Sequence, residues 1–272
     1  MTRIALYQAN TGIDPARNAD QLTDAARQAA AGGAAMLFTP EMSGLLDRDR
    51  ARAARHIAEE ADCATLRAMQ AAARDLGLWI ALGSLAIRNP DGTLANRSFV
   101  IDAAGRVVAR YDKIHMFDVA LGNGDDWRES AAYRAGTEVV TVPDTPVGRL
   151  GLTVCYDLRF PALFDALGRA QCDAIAIPAA FTVTTGIAHW HILQRARAIE
   201  ASAFVIAAAQ AGRHEDGRET FGHSLVVDPW GEVLLDMGRG GRGVGFCEID
   251  PARIAEVRER LPSLANRRPI AT

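Results

Sequence analysis

Two hydrophobic periodicities alternate along the chain. Short runs rich in β-branched and aromatic residues predict strands. Longer Ala-rich stretches, with apolar positions repeating near every 3.6 residues, predict helices. The predicted strands are 3–8, 34–39, 79–87, 97–102, 107–111, 138–142, 149–154, 174–178, 204–209, 224–227, 233–236 and 244–249. The predicted helices are 14–31, 161–170, 188–202 and 251–261, and a helical pattern also runs from 50 to 77.

The order of these elements predicts an α/β fold. Successive strand–helix–strand units favour parallel pairing, whereas the turn sequences at 89–92, 102–105 and 228–231 predict hairpins. A mixed sheet covered by helices accounts for both features, and the number of strands favours two sheets packed together. No repeat, low-complexity tract or Pro/Ser-rich linker interrupts the sequence, so 1–272 is predicted to be a single domain.

Composition narrows the range of partners. The chain is 49% hydrophobic with a formal net charge of -3, which gives no reason to expect nucleic acid or a membrane surface as a partner. Its longest apolar run, 203–209, is far shorter than the ~20 residues of a membrane span, and no signal peptide is recognisable. The four cysteines have neither CxxC spacing nor the density of a disulfide scaffold, which predicts free thiols and a cytoplasmic protein.

Lysine usage is unusual. Only one of the 30 basic residues is a lysine, Lys113, and all the others are arginines. Exposed positions tolerate either residue, so a single remaining lysine is a candidate for a place that requires a compact ammonium group rather than a guanidinium. Chance survival of one surface lysine is the alternative.

Three polar residues follow predicted strands directly. Glu41 comes after strand 34–39 and its Pro40, Lys113 after 107–111, and Cys155 after 149–154. The carboxyl ends of strands are where open α/β sheets gather ligands and reactive groups. Alone, a cysteine is more often a small buried apolar residue and a glutamate a solvated loop residue. Their shared position favours a common site.

Cys155 also precedes a predicted helix. A thiol near a helix N-terminus is stabilised as thiolate by the exposed N–H groups, so we expect a lowered thiol pKa. The same N–H groups could bind an oxyanion.

The residues around these positions resemble a known family. Phe38-Thr-Pro-Glu41, Tyr111-Asp-Lys-Ile-His115 and Gly151-Leu-Thr-Val-Cys155-Tyr-Asp-Leu-Arg159 are similar to the three signatures of the nitrilase (carbon–nitrogen hydrolase) superfamily. Further similarity covers 180–190 and 222–231. The resemblance implies a four-layer αββα sandwich with two mixed sheets, which commonly dimerises through its helices and tail. The tail, about 262–272, departs from the family pattern after Arg267-Arg-Pro.

The resemblance also implies a mechanism without cofactor or metal. Glu41 would take the thiol proton, Cys155 would attack an amide carbon, and Lys113 and the Tyr156 N–H would stabilise the oxyanion. A second family glutamate matches Glu129, which would orient Lys113 and the substrate.

The substrate follows from the branch that the chain resembles, the Nit-type amidases. In these an arginine matching Arg159 binds the carboxylate of a 2-oxo acid, and Phe181 and Thr185 match residues of the same pocket. The segments 207–214 and 222–224 are more similar to amidases of deaminated glutathione than to ω-amidases, and 213–221 is a candidate contact for the peptide part of the substrate. Both enzymes would form one 2-oxoglutaryl thioester and release cysteinylglycine or ammonia, respectively.

A glycine-rich motif and a pair of histidines could indicate other kinds of site. The GxGxxG at 238–243 lies between two strand patterns, so we interpret it as a hairpin loop rather than a dinucleotide site. His189 and His191 do not share a helix face, and no metal site is predicted.

Three alternative functions remain. They are another carbon–nitrogen hydrolase, such as a carbamoylase or aliphatic amidase, an acyltransferase with the same three residues, and an inactive binding protein.

Overall fold

The computed structural model describes residues 1–120 and 126–268, to which the statements on structure refer. The strands are β1 (Thr2–Gln8), β2 (Met36–Phe38), β3 (Trp79–Arg88), β4 (Leu94–Ile101), β5 (Val107–Asp112), β6 (Asp118–Val119), β7 (Trp127–Arg128), β8 (Thr141–Thr145), β9 (Gly148–Leu152), β10 (Ala174–Ala176), β11 (Phe204–Ala207), β12 (Ala211–Arg213), β13 (Glu219–Phe221), β14 (Leu225–Val227), β15 (Val233–Asp236) and β16 (Gly243–Ile249). The helices are α1 (Pro15–Ala31), α2 (Arg50–Ala54), α3 (Ala64–Leu76), α4 (Pro161–Arg169), α5 (Val183–Ala201) and α6 (Ala252–Arg260), with 3₁₀ turns at Glu60–Asp62, Glu129–Ala131 and Cys155–Arg159.

Two six-stranded mixed sheets form the centre of the protein. Their strand orders are β16-β1-β2-β3-β4-β5 and β15-β14-β11-β10-β9-β8. In each sheet three adjacent strands run parallel, β1-β2-β3 and β9-β10-β11, and the outer strands pair antiparallel. The predicted combination of parallel units and hairpins is therefore confirmed.

The sheets pack between helices. On β1, Ile4 and Leu6 belong to the core that includes the second sheet, whereas Ala5 and Tyr7 belong to the core formed with α1 and α3. This alternation follows from the two-residue period of a strand, which sends successive side chains to opposite faces. The other sheet buries its outer face against α4 and α5. The predicted αββα layers are confirmed.

The glycine-rich segment 238–243 is not a hairpin loop, and the prediction was wrong. It joins two different sheets, because β15 pairs with β14 whereas β16 pairs with β1. The buried Gln8 side chain holds the crossing, with Nε2 2.8 Å from the carbonyl oxygen of Gly240. Two strands that follow one another in the sequence predict a hairpin. Only the strand pairing of the folded protein shows that β15 and β16 belong to different sheets.

The helical pattern at 50–77 is also interrupted. Helix α2 ends at Ala54 and α3 begins at Ala64. Between them Glu59 forms a β-bridge with Arg88, and the Arg88 N–H donates to the carbonyl of Ala58 at 2.9 Å. Because the backbone at 58–59 pairs with the last residue of β3, it cannot also be helical.

The tail packs against the chain's own helices as far as it is described. The Nη1 of Arg267 donates to the carbonyl of Asp165, and its Nη2 to that of Glu200, at 3.1 and 3.2 Å. The last four residues of the predicted tail segment, 269–272, lie outside the described residues. Among the helices of the described chain, none is long and apolar enough to cross a membrane.

Candidate active site

A cavity of about 570 Å³ brings together Glu41, Lys113 and Cys155. Its size is within the usual range for a small-molecule site. Glu41 follows β2, Lys113 follows β5 and Cys155 lies three residues beyond β9. The three side chains thus come from both sheets and meet where those strands end, as their shared sequence position predicted.

Glu41 is buried and fully hydrogen-bonded. Its Oε1 accepts from the Nζ of Lys113 and the Nδ2 of Asn96, both at 2.9 Å, and its Oε2 accepts from the N–H of Ala180, also at 2.9 Å. The side-chain amide of Gln210 donates to the Glu41 carbonyl oxygen at 2.9 Å. The carboxylate is therefore held in one orientation.

Gly83 in β3 makes room for the Glu41 loop. A Cβ at this position would lie 2.0 Å from the carbonyl oxygen of Thr39 and 2.7 Å from the Cβ of Pro178. Thr39 follows β2 in the first sheet and Pro178 follows β10 in the second, so any side chain here would force the two strand ends apart.

Lys113 lies between two carboxylates. Its Nζ is 2.9 Å from Glu41 Oε1 and 2.7 Å from Glu129 Oε2, and its side chain is 2% exposed. Glu129 is held by the N–H of Phe117 and by Asn96 Nδ2, at 2.7 and 3.0 Å. The structure therefore places Glu129 beside Lys113, where the sequence predicted it.

Cys155 lies on a sharp turn. Its φ is 48°, in the left-handed region that non-glycine residues rarely adopt, and its N–H donates to the carbonyl of Pro178 at 2.8 Å. Backbone strain of this kind persists only where the surroundings impose it, and it is common at reactive sites. The turn continues as a 3₁₀ segment, and α4 starts at Pro161.

The pKa of the Cys155 thiol is shifted in the opposite direction from our expectation. Burial and the charge of Glu41 raise the pKa of the Cys155 thiol well above its usual value, and Lys113 only partly opposes them. Burial would also raise the pKa of Glu41, but the charge and hydrogen bond of Lys113 reverse this and lower that pKa. The expected lowering of the thiol pKa was wrong, because burial and the neighbouring Glu41 carboxylate outweigh the N–H groups of the turn.

The pKa of Lys113 is raised despite burial. Burial alone would lower it, but the charges of Glu129 and Glu41 outweigh that effect. Around neutral pH the group thus holds an ammonium ion, a carboxylate acceptor and a neutral thiol. In this arrangement the Glu41 carboxylate can accept the proton of the Cys155 thiol when a substrate is present.

Two buried residues of the site were missed in the sequence. The Asn96 side chain donates to both Glu41 and Glu129. The Asp157 carboxylate connects the loop after β5, which contains Lys113, with the turn that carries Cys155. The Asp157 carboxylate accepts from Tyr111 Oη at 2.6 Å, from the Val154 N–H at 2.8 Å and from the His115 N–H at 3.0 Å. The available signal was weak: Asn96 lies one residue before the predicted strand 97–102, and Asp157 lies within the Cys155 motif.

The predicted substrate residues divide into two groups. Tyr156, Phe181 and Thr185 line the cavity. Arg159 is not among the lining residues; its guanidinium lies 5.2 Å from the Phe181 ring centroid, and its Nη1 lies 3.2 Å from His189 Nδ1. The Arg159 guanidinium therefore packs behind the cavity wall, against the rings of Tyr156 and Phe181, which line the cavity.

The segment 213–221 also reaches the cavity. It is most of a hairpin in which β12 pairs with β13, and residues 217–220 line the cavity. Arg218 on this hairpin donates from Nε to Asp216 Oδ2 at 2.7 Å, and its guanidinium lies 4.8 Å from the ring centroid of Trp127. Arg48 lies over the same ring at 5.0 Å, so two guanidinium groups flank Trp127 at this wall.

Comparisons with known proteins find relatives over nearly the whole chain. The chain is 40% identical to deaminated glutathione amidase of Yersinia enterocolitica over 97% of this chain and 92% of that protein. It is 37% identical to the human protein of the same name, over 98% of this chain and 82% of the relative.

A solved structure shares the fold. The NitFhit protein of C. elegans superposes with a TM-score of 0.89 at 35% identity, over 98% of this chain and 65% of that one. The family model described as carbon-nitrogen hydrolase matches residues 3–259. The predicted enzyme class, a hydrolase of carbon–nitrogen bonds, is thereby confirmed, and the chain belongs to the carbon–nitrogen hydrolase family.

Proposed function

We propose that this protein is a thiol-dependent amidase that hydrolyses deaminated glutathione to 2-oxoglutarate and cysteinylglycine. The observation that carries the proposal is the grouping of a buried thiol, a carboxylate and an ammonium ion at one cavity, with Lys113 donating to Glu41 at 2.9 Å. In this proposal Cys155 is the nucleophile, Glu41 the general base and acid, and Lys113 the cation that stabilises the oxyanion.

In the first half-reaction the thiol becomes covalently acylated. Glu41 takes the proton from the Cys155 Sγ as sulfur attacks the amide carbon, and the carbonyl oxygen becomes an oxyanion near Lys113 and the Tyr156 N–H. Glu41 then gives the proton to the amide nitrogen. The carbon–nitrogen bond breaks, cysteinylglycine leaves as an amine, and a 2-oxoglutaryl thioester remains.

In the second half-reaction water replaces the amine. Glu41 removes a proton from the attacking water, a second tetrahedral oxyanion forms, and its collapse expels the Cys155 thiolate, which takes the proton back. The products are 2-oxoglutarate and the free thiol. Glu129 and Asn96 act as positioning residues in this scheme, because they hold Lys113 and Glu41 without contacting sulfur.

The substrate's two ends are assigned to two arginines. We assign the 2-oxo acid carboxylate to the end of the cavity lined by Phe181 and Thr185, with Arg159 behind it. The glycine carboxylate of the leaving peptide is assigned to Arg218 on the 213–221 hairpin. Arg218 lines the cavity and can donate a charge-assisted hydrogen bond, whereas Arg159 would attract its carboxylate through its charge from behind the wall.

The main alternative is an ω-amidase that acts on 2-oxoglutaramate through the same thioester. The names of the relatives and the positive charge around Trp127 favour a peptide leaving group. A kinetic panel of deaminated glutathione, 2-oxoglutaramate, simple ω-amides and nitriles tests this. The proposal requires the highest kcat/KM for deaminated glutathione, and a higher value for 2-oxoglutaramate would replace it with ω-amidase.

An acyltransferase would use the same residues but pass the acyl group to an amine. Product analysis with added amines separates the two activities. A hydrolase yields one 2-oxoglutarate per cysteinylglycine whatever amine is added, whereas a transferase would divert the acyl group into a new amide.

We also propose that 1–272 is a single cytoplasmic domain that forms a homodimer through α5, β15 and the tail. The support is a group of exposed apolar side chains on α5 and β15: Ile187, Ile192, Ile199, Val233 and Leu234. Sedimentation at several concentrations tests the assembly. A monomer at micromolar concentration, or an Ile192→Asp variant that remains dimeric, would contradict this interface.

A further inference from the structure

We propose that His191, His223 and Asp236 form a binding site for a divalent transition-metal ion, with Zn²⁺ as the best match. The three residues come from separate elements: α5, the turn after β13, and the end of β15. Within the described chain, their ligand atoms all lie within 4.8 Å of one another. This inference is independent of the proposed amidase activity, since none of the three residues lines the cavity.

The donor set matches the chemistry of the ion. Two imidazole nitrogens and a carboxylate oxygen are ligands that Zn²⁺ binds at about 2.0–2.2 Å, with water completing four-coordination. The carboxylate already lies between the rings: Asp236 Oδ2 is 2.9 Å from His191 Nε2, and Asp236 Oδ1 is 2.8 Å from His223 Nδ1. A cation among these atoms would replace the protons that now join them.

Asp236 is suited to hold a cation. Both of its carboxylate oxygens already face the imidazoles, Oδ2 toward His191 and Oδ1 toward His223. The Gly238 N–H donates to Oδ1 at 2.8 Å, which fixes the carboxylate plane. The ligand is therefore oriented before any ion binds.

His223 is held from several sides. Its φ is 55°, in the left-handed region, and its N–H donates to the Gly238 carbonyl at 2.8 Å. Its own carbonyl accepts from Trp190 Nε1 at 2.9 Å, and its ring stacks on Phe221 with centroids 4.5 Å apart. Oriented ligands of this kind reduce the reorganisation that metal binding requires.

A metal ion here would join elements that frame the active-site cavity. The β13 residue Phe221 donates its N–H to the carbonyl of Phe181, a cavity-lining residue, at 2.9 Å. Helix α5 begins at Val183, beside the same wall. We therefore assign the ion a structural role, in which it stabilises the packing of α5 against β13 and β15.

Sequence spacing concealed this site. His191 was considered with its neighbour His189, but His189 bonds to Arg159 instead. The carboxylate ligand of His191 lies 45 residues further along the chain. The prediction of no metal site considered only residues that are close in the sequence.

The test measures Zn²⁺ binding by calorimetry in a Cys155→Ala chain, which removes the active-site thiol as a competing ligand. We expect one ion per chain, and affinity at least about tenfold weaker in His191→Gln and in Asp236→Asn. His56→Gln, at an exposed histidine elsewhere, serves as the matched control and should bind as the parent does. Co²⁺ should give visible bands of a four-coordinate nitrogen–oxygen site without the thiolate charge-transfer band.

Thermal unfolding provides a second readout. Zn²⁺ should raise Tm in the parent and in His56→Gln but not in the two ligand variants. Melting in EDTA checks that every variant folds. Absence of saturable one-to-one binding in the parent, or equal affinity in His191→Gln and Asp236→Asn, would overturn the proposal, as would a thiolate band in the Co²⁺ spectrum.

Discussion

The Nζ of Lys113 lies 2.9 Å from Oε1 of Glu41, and both side chains are almost completely buried. The pair is not an isolated ion pair, because Glu129 adds a second carboxylate at 2.7 Å from the same nitrogen. One cation therefore faces two anions inside the protein. These two carboxylates hold the Lys113 ammonium group in the position from which it would stabilise negative charge on a substrate oxygen.

Replacing Cys155 by alanine should abolish turnover, because no thioester can form. We expect kcat to fall by at least about 10⁴-fold. Loss of one buried sulfur should leave the fold intact by circular dichroism. Cys63→Ala, which removes a half-buried thiol distant in sequence, should retain full activity. Substantial amidase turnover by Cys155→Ala would refute the proposed nucleophile.

Lys113→Arg should be severely impaired even though it keeps the charge. A planar guanidinium cannot occupy the space of Nζ between Glu41 and Glu129 without displacing one of them. A loss of one oxyanion donor costs roughly 10²–10³-fold in kcat. Arg27→Lys, an exposed swap in the reverse direction, is the control for general effects. A fully active Lys113→Arg enzyme would mean that the single lysine is a chance survivor.

Glu41→Gln should lower the pKa of the Cys155 thiol while it abolishes turnover. Two effects raise that pKa in the parent, burial and the Glu41 charge, and the substitution removes the second while Lys113 remains. The thiolate should therefore appear at lower pH in the variant. The ultraviolet absorbance of the thiolate, followed against pH in both proteins with Cys155→Ala as blank, measures the shift. An unchanged or raised pKa would mean that Glu41 does not control the thiol.

Arg159→Ala should raise KM for substrates that carry a 2-oxo acid carboxylate. Neutral amides have no such group, so their KM should change little. Arg169→Ala, an exposed arginine on α4, provides a control for loss of surface charge. Equal KM values for the carboxylate substrates in the parent and the Arg159 variant would remove this arginine from the substrate site.

Arg218→Gln should affect the leaving group rather than the acyl group. We expect kcat/KM for deaminated glutathione to fall about tenfold, with little change for 2-oxoglutaramate, which has no peptide carboxylate. Arg213→Gln changes an exposed arginine on the same hairpin and should leave both values unchanged. A parallel loss for both substrates in Arg218→Gln would indicate a structural role instead.

Much of the fold could be read from local patterns. The strands of both sheets and the helices α1, α4 and α5 are close to the predicted positions, because their apolar periodicity decides which residues can be buried. The break at 55–63 could not be predicted, since it depends on the pairing of Glu59 with the last residue of β3. The same limit applied to 238–243, whose two flanking strands belong to different sheets.

The sequence by itself determined the family, the sandwich and the positions of Glu41, Lys113 and Cys155, because each of these depends on local periodicity or a contiguous motif. Tertiary structure decided how the residues act on one another. Asn96 and Asp157 became part of the site only when separate strands met, and the pKa of the Cys155 thiol rose rather than fell because folding buried it beside a carboxylate. Burial and distance between remote residues set electrostatic energies, and neither can be obtained from spacing along the chain.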